Sequence, residues 1–249
     1  MDTGCLIPVR AVGWRDVLPL LQAGQLHVCV CQPGAGKTSL ALALARDLAA
    51  RPVDSVQVLY ISTDLSVQVL TWKLITAMTG VSFDAMKSGT CSAAERAVVD
   101  NAQAAVASWP LILMAPTDAT ADHLVTLIRH CASARSTVVI VDYLGAETAG
   151  ITTDSMRTMA SSLAGIAREL AISVIATAGY AENEDLDGVD VVLGLGLDDE
   201  EADGDQRRVG LSLLRSKERR VDYAHLVFDA HRMTHYPAMS AVGVGRSSA

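Results

Sequence analysis

Apolar and polar positions along this chain predict strands and helices in alternation. Five short apolar runs, rich in Val, Ile and Leu, are typical of buried strands and lie at residues 26–30, 56–61, 110–114, 137–141 and 172–177. The segments between them are rich in Ala or carry apolar residues at helical spacing, at 39–50, 66–79, 92–108, 120–134 and 154–170. Because helices of this length usually connect parallel strands, the pattern predicts an α/β fold with a mainly parallel sheet flanked by helices.

The alternation changes after residue 189. An acidic stretch at 198–205 is followed by short apolar runs at 209–215, 225–229 and 232–236. No helical segment separates these runs, so they predict antiparallel strands that close the C-terminal side of the sheet.

The simplest domain organisation is one domain over residues 26–238. We expect residues 1–25 to be a lead-in segment, with a short helix or turn at 13–21, and residues 81–91 to be a short connection. The Gly- and Ser-rich tail at 239–249 is predicted to be disordered, because it has few residues that could be buried.

Composition and charge narrow the function classes. The net charge of −8 argues against broad binding of nucleic acid over the outer surface. There is no apolar run of 18 residues and no basic segment leading into an apolar one at the N-terminus, so neither a membrane span nor a signal peptide is predicted. The five cysteines form no CxxC pattern, which indicates a reducing, cytoplasmic location.

The strongest motif is Cys31–Gln32–Pro33–Gly34–Ala35–Gly36–Lys37–Thr38, which we call the phosphate loop. It lies between a predicted strand and a predicted helix, where backbone N–H groups and the helix N-terminus can hold phosphate. Lys37 would reach the β- and γ-phosphates of ATP, and the Thr38 hydroxyl would bind Mg²⁺. The candidate nucleotide-binding residues are Gln32, Pro33, Gly34, Ala35, Gly36, Lys37, Thr38 and Ser39. Cys31 departs from the glycine expected there, and the alternative is a glycine turn with a chance lysine.

Two aspartates follow predicted strands and are the candidate partners of this loop. Asp142 ends the most hydrophobic run and is placed to hold Mg²⁺, directly or through water, although strand ends often carry Asp. Asp64 follows the strand at 56–61 and is placed to polarise a water near the γ-phosphate. The alternative for Asp64 is a cap of the helix predicted at 66–79.

Together these segments resemble the RecA-type core of DnaB-family replicative helicases. The similarity covers roughly residues 13–236 and is less specific to RadA- and KaiC-like ATPases. It is carried by residues 25–28, 36–42, 58–66, 142–144, 167–170, 217–219 and 226–229. The resemblance implies a RecA-like P-loop NTPase fold and a DnaB-like helicase-family ATPase acting in DNA replication or related DNA metabolism. The chain begins almost at this core, so no counterpart of the family's N-terminal domain is expected.

The resemblance also implies how the site is completed. Asp64 would stand at the position of the family's catalytic glutamate, and Asp142 would support the metal. Lys217 and Arg219 would reach the γ-phosphate of a neighbouring subunit, where positive charge stabilises the transition state. This implies a homo-oligomeric ring, such as a hexamer, with ATP between subunits. Without the family, the basic stretch containing these two residues is better explained as a solvated turn.

Several departures leave the DNA-dependent part of this function open. Asp64 is one methylene shorter than glutamate, and Gly179 falls where the family has a glutamine. The two stretches expected to face single-stranded DNA, 145–153 and 179–188, contain acidic residues and no Lys or Arg, although DNA binding depends on phosphate neutralisation. A non-helicase, RecA-type ATP-binding regulatory or assembly module that acts through a protein partner is therefore the alternative.

Overall fold

A computed structural model describes residues 6–8, 20–50, 56–132, 137–144, 153–179, 188–197, 206–216 and 223–237. The strands in these segments are β1 (Leu6–Pro8), β2 (Leu20–Gln22), β3 (Leu26–Cys31), β4 (Gln57–Ser62), β5 (Leu111–Met114), β6 (Thr137–Leu144), β7 (Ser173–Gly179), β8 (Val191–Leu197), β9 (Gln206–Ser216), β10 (Tyr223–Asp229) and β11 (Thr234–Pro237). The helices are α1 (Lys37–Ala49), α2 (Val67–Thr79), α3 (Phe83–Ser88), α4 (Ala93–Ala107), α5 (Ala121–Cys131) and α6 (Thr153–Leu170).

Within the described residues, nine strands form one sheet in the order β11-β10-β9-β8-β3-β7-β6-β4-β5. The six strands from β8 to β5 in that order pair in parallel, whereas β9, β10 and β11 pair antiparallel to their neighbours. The mainly parallel sheet and its antiparallel C-terminal strands are thus confirmed.

Alternation along β3 explains how the sheet is covered on both sides. Cys29 and Cys31 face one apolar cluster, which includes Leu40 and Leu44 of α1. Val28 faces the other cluster, which is formed with apolar residues of α5 and α6. Because successive residues of a strand point to opposite faces, a continuous apolar run such as β3 must be covered by helices on both faces.

Two elements differ from the sequence prediction. The lead-in was predicted to hold a helix or turn up to residue 21, but Leu20–Gln22 is a strand that pairs antiparallel with Leu6–Pro8. The connection at 81–91 contains the helix α3, which ends at Gly89 with a φ of 72°. Two turns of helix give too short an apolar pattern to detect, so tertiary contacts decide this segment. The predicted tail at 239–249 lies outside the described residues.

Helix ends at the top of the sheet follow ordinary capping rules. Ser66 caps α2 by accepting a hydrogen bond from the Val69 backbone N–H, and Gly80 ends the helix with a φ of 74°. Ser92 and Glu95 form a capping box at the start of α4. Across the described segments, none of the helices is long and apolar enough to cross a membrane.

Candidate nucleotide-binding site

The phosphate loop connects the C-terminal end of β3 to the first residue of α1. Gly34 and Gly36 have φ values of 79° and 85°, in the left-handed region that glycine adopts without strain. The Leu40 N–H donates to the Gly36 carbonyl at 3.0 Å, so regular helical hydrogen bonding begins at the end of the loop. Such a turn directs backbone N–H groups and the positive end of α1 into one concave surface.

A cavity of about 220 Å³ opens at this surface. It is lined by Gln32, Pro33, Gly34, Gly36, Lys37, Thr38, Ser39, Lys73 and Phe228. Seven of these nine residues belong to the predicted nucleotide-binding set, so the structure gathers nearly all of that set around one cavity. Ala35, the remaining member, is fully buried beneath the loop.

Lys73 is a residue of this cavity that the sequence analysis missed. It is the one charged residue of α2, which otherwise carries apolar and neutral polar side chains, and that isolation was the available signal. Its ammonium group lies 3.4 Å from Met233 Sδ and 5.7 Å from the centroid of the Phe83 ring. Burial lowers the pKa of Lys73, while the negative charge of Asp142 acts in the opposite direction.

The Lys37 ammonium lies over the ring of Tyr143, 3.7 Å from its centroid. This is a cation–π contact, which attracts the ammonium without neutralising its charge. In the described part of the chain, no carboxylate forms an ion pair with either Lys37 or Lys73. The cavity therefore combines two positive charges that its own described residues leave uncompensated.

Asp142 is buried near the end of β6 and is held by two hydroxyl groups. The Tyr60 hydroxyl donates to Oδ2 at 2.8 Å, and the Thr177 hydroxyl donates to Oδ1 at 2.6 Å. Burial is the largest cause that raises the pKa of Tyr60, followed by the charge of Asp142, so the phenol stays a donor. A carboxylate has about four acceptor positions, which leaves lone pairs for a metal or a metal-bound water.

Asp64 lies at the same edge of the sheet. Ser62 is in register with Asp142, and the Thr63 N–H donates to the Asp142 carbonyl at 2.9 Å. The Thr63 hydroxyl also donates to the Tyr143 carbonyl at 2.8 Å, which ties the ends of β4 and β6 together. Asp64 is solvent-exposed. The alternative role of Asp64 as a helix cap is wrong, because Ser66 caps α2.

Cys31 occupies the first position of the phosphate loop without harming its shape. Its thiol is buried and lies 3.7 Å from the Cys29 sulfur and 3.4 Å from the Cys29 carbonyl oxygen. The hydrogen bond to Cys29 and burial raise the pKa of Cys31. Both cysteines therefore act as small apolar residues of the core, as the sequence indicated.

The remaining predicted site residues cannot be placed. Lys217 and Arg219 lie outside the described residues, as do 145–152 and 180–187, which form most of the two acidic stretches. Gly179, where the family has a glutamine, is the last residue of β7 and is in register with Cys31 of β3.

The sequence matches one known family over most of its length. The profile of the DnaB-like helicase C terminal domain matches residues 16–183. The replicative DNA helicase DnaB of Treponema pallidum (strain Nichols) is 28% identical over 160 residues, which make up 62% of this chain and 36% of that helicase. The chain thus matches only about a third of the length of this curated relative.

Three solved structures are similar in fold. A DnaB-like replicative helicase, studied with its interactions with primase, has a TM-score of 0.77 at 15% identity and matches 94% of this chain and 62% of its own. The isolated ATPase domain of a second protein has a TM-score of 0.79 at 15% identity, over 95% of this chain and 93% of its own. The RadB recombinase has a TM-score of 0.55 at 16% identity, over 88% and 92%.

The parallel sheet, the phosphate loop between β3 and α1, and the antiparallel C-terminal strands define a RecA-like domain of the P-loop class. The family profile covers well over half of the sequence. The chain belongs to the family of DnaB-like helicase C-terminal domains.

Proposed function

We propose that this chain binds ATP with Mg²⁺ and hydrolyses it, as a DnaB-like helicase-family ATPase acting in DNA replication or related DNA metabolism. The observation that carries the proposal is the cavity at the phosphate loop, where Lys37 and Lys73 are both without a carboxylate partner among the described residues. A polyphosphate supplies the negative charge and the acceptor oxygens that these two ammonium groups require.

The residues present fit a nucleoside triphosphate with its metal. The N–H groups of the phosphate loop and Lys37 would hold the β- and γ-phosphates, and Lys73 would approach the same phosphates from α2. The Thr38 hydroxyl and the Asp142 carboxylate would hold Mg²⁺, with Asp142 fixed in orientation by Tyr60 and Thr177. The metal would neutralise charge on the phosphate oxygens.

Asp64 is the proposed group that orients the attacking water. Its place beside Asp142, at the carboxyl end of the parallel strands, supports this role. An aspartate is one methylene shorter than the family's glutamate, and a shift of about 1 Å in a catalytic group can cost about a hundredfold in rate. We therefore expect slow hydrolysis that depends strongly on Asp64.

The proposed functional unit is a homo-oligomeric ring, such as a hexamer, with ATP between subunits. Lys217 and Arg219 would contact the γ-phosphate bound by the neighbouring subunit and stabilise charge in the transition state. Family membership supports this arrangement. Light scattering with ATP and Mg²⁺ tests it, because a fully active monomer would refute every role assigned across a subunit boundary.

Whether ATP hydrolysis is coupled to single-stranded DNA distinguishes the two candidate functions. The acidic composition of 179–188 favours the alternative, a regulatory or assembly ATPase that acts through a protein partner. The decisive experiment is the ATPase rate with and without single-stranded DNA at low salt, where electrostatic binding is strongest. Stimulation by DNA supports the helicase-family role, and no stimulation supports the alternative.

A further inference from the structure

The back of the phosphate loop is held by side chains from the antiparallel C-terminal strands. Arg207 of β9 donates from Nη1 to the Gly34 carbonyl at 3.2 Å. His235 of β11 donates from Nε2 to the Ala35 carbonyl at 3.0 Å. Two successive carbonyl groups of the loop are thus bound by residues about 170 to 200 positions later in the sequence.

These two carbonyls control where the loop's N–H groups point. A peptide unit is planar and trans, so its C=O and the N–H of the next residue point in opposite directions. Holding the Gly34 carbonyl therefore orients the Ala35 N–H, and holding the Ala35 carbonyl orients the Gly36 N–H. Phosphate is bound through such N–H groups, so fixing the carbonyls from behind prepares the loop for an anion before it arrives.

Gly36 is held by shape rather than by a hydrogen bond. A Cβ atom placed on Gly36 would lie 2.8 Å from His235 Cε1 and 2.8 Å from the ring of Phe228. The two rings stack on each other, with centroids 4.8 Å apart and planes 26° from parallel. The stacked pair therefore closes the space behind the loop and leaves room only for glycine.

The chemistry of His235 suits a permanent hydrogen bond. Its side chain is 4% exposed, and burial lowers its pKa to about 4, so the ring is neutral near physiological pH. The tautomer that protonates Nε2 is fixed by the contact with the Ala35 carbonyl. Among the described residues, Nδ1 has no hydrogen-bond partner, so the contact with the loop is the polar interaction that orients this ring.

We propose that Arg207, His235 and Phe228 are positioning residues that set the phosphate-binding shape of the loop from behind. The inference rests on the proposed binding of ATP at this loop and extends it to the C-terminal strands. The nucleotide affinity of the domain then depends on the position of β9 to β11, which lie at the opposite end of the sheet from β4 and β5.

The experiment measures affinity for inorganic triphosphate and for ATP, with thermal unfolding of the nucleotide-free protein as a second measurement. Arg207→Met and His235→Phe each remove one donor while keeping an apolar body of similar size, and each should weaken triphosphate binding about tenfold. Arg207→Lys and His235→Gln keep a donor and should restore most of the affinity. Arg208→Met is the matched control, because neighbouring residues of a strand face opposite sides of the sheet.

A merely structural role is distinguished by the second measurement. If the melting temperature falls but triphosphate affinity at 10 °C is unchanged in Arg207→Met and His235→Phe, the proposal is wrong. It is equally wrong if Arg208→Met loses as much affinity as Arg207→Met. Arg207 is exposed, so Arg207→Met tests the proposal even if His235→Phe fails to fold. If the unmodified protein binds neither ligand, the proposed function itself fails, which is a separate result.

Discussion

The Tyr60 hydroxyl donates a 2.8 Å hydrogen bond to Oδ2 of Asp142, and both side chains are buried. Tyr60 lies on β4 and Asp142 on β6, two neighbouring strands whose register pairs Tyr60 with Ile140. The tyrosine therefore reaches along the sheet to the carboxylate that ends the buried part of β6. This contact fixes the direction of the proposed metal-binding group.

Replacing Tyr60 with Phe should lower the free energy of unfolding by about 1–3 kcal/mol, because a buried carboxylate loses one donor. Urea denaturation measures the change. Tyr236→Phe is the control, since the same atom is removed at the edge strand β11, and its effect should be within about 0.5 kcal/mol. Equal effects in the two variants would contradict the importance of the Tyr60 contact.

Gly36→Ala should be far more harmful than Gly80→Ala. Both glycines have positive φ, at 85° and 74°, so both substitutions incur about 1–2 kcal/mol of backbone strain. Only at Gly36 does the new Cβ meet other atoms, at 2.8 Å, whereas nothing lies within 4 Å of it at Gly80. We expect Gly36→Ala to abolish ATP binding and to lower the melting temperature beyond the effect of Gly80→Ala. Equal melting temperatures with ATP binding retained would refute the packing described behind the loop.

Stability should fall in mild acid because of two buried histidines. Burial lowers the pKa of His27 and of His235 to about 4, below the ordinary value of 6.5. The unfolded chain binds these protons from about pH 6.5 downward while the folded chain does not, so the folded state is favoured fully above that pH and progressively less toward pH 4. The loss is up to about 1.4 kcal/mol per pH unit for each histidine.

The measurement for this prediction is urea denaturation between pH 7 and 4. His27→Asn should remove one histidine's share of the pH slope, whereas replacing the exposed His130 with Asn should leave the slope unchanged. A slope that is the same in the parent and in His27→Asn would show that His27 takes up its proton without unfolding.

Lys73→Met should weaken ATP binding about tenfold, because one of the two charges facing the phosphates is lost while the apolar stem is kept. Calorimetric titration with ATP and Mg²⁺ measures the effect. Lys87→Met on α3 removes the same charge from an exposed position and is the control. If both variants bind ATP as the parent does, Lys73 does not contact the phosphates.

The sequence predicted the sheet and the phosphate loop because both depend on local signals. The apolar run at 137–141 and the glycines around Lys37 are readable without knowledge of distant contacts. Lys73, Tyr60 and His235 reach the site through tertiary packing, from 36 positions along the chain in the case of Lys73 to about 200 for His235. Hydrophobic periodicity records that a residue is buried and not what it touches, so these partners could not be predicted.

The short elements were missed for a related reason. The helix Phe83–Ser88 has no buried residue, and the strands Leu6–Pro8 and Leu20–Gln22 are three residues each. Segments of this size carry too few apolar positions to reveal a period, and pairing with a distant strand decides their conformation.

The most direct test of the central claim is calorimetric titration of ATP with Mg²⁺ into the unmodified chain and into Lys37→Ala. Lys37 lies in the cavity and contacts Tyr143 through a cation–π interaction, so its loss removes the main phosphate contact while its effect on folding should be small. We predict saturable binding at one site per chain for the unmodified protein and at least a hundredfold loss of affinity in Lys37→Ala, with a similar melting temperature. Equal affinity in the two proteins would show that ATP does not bind at the phosphate loop.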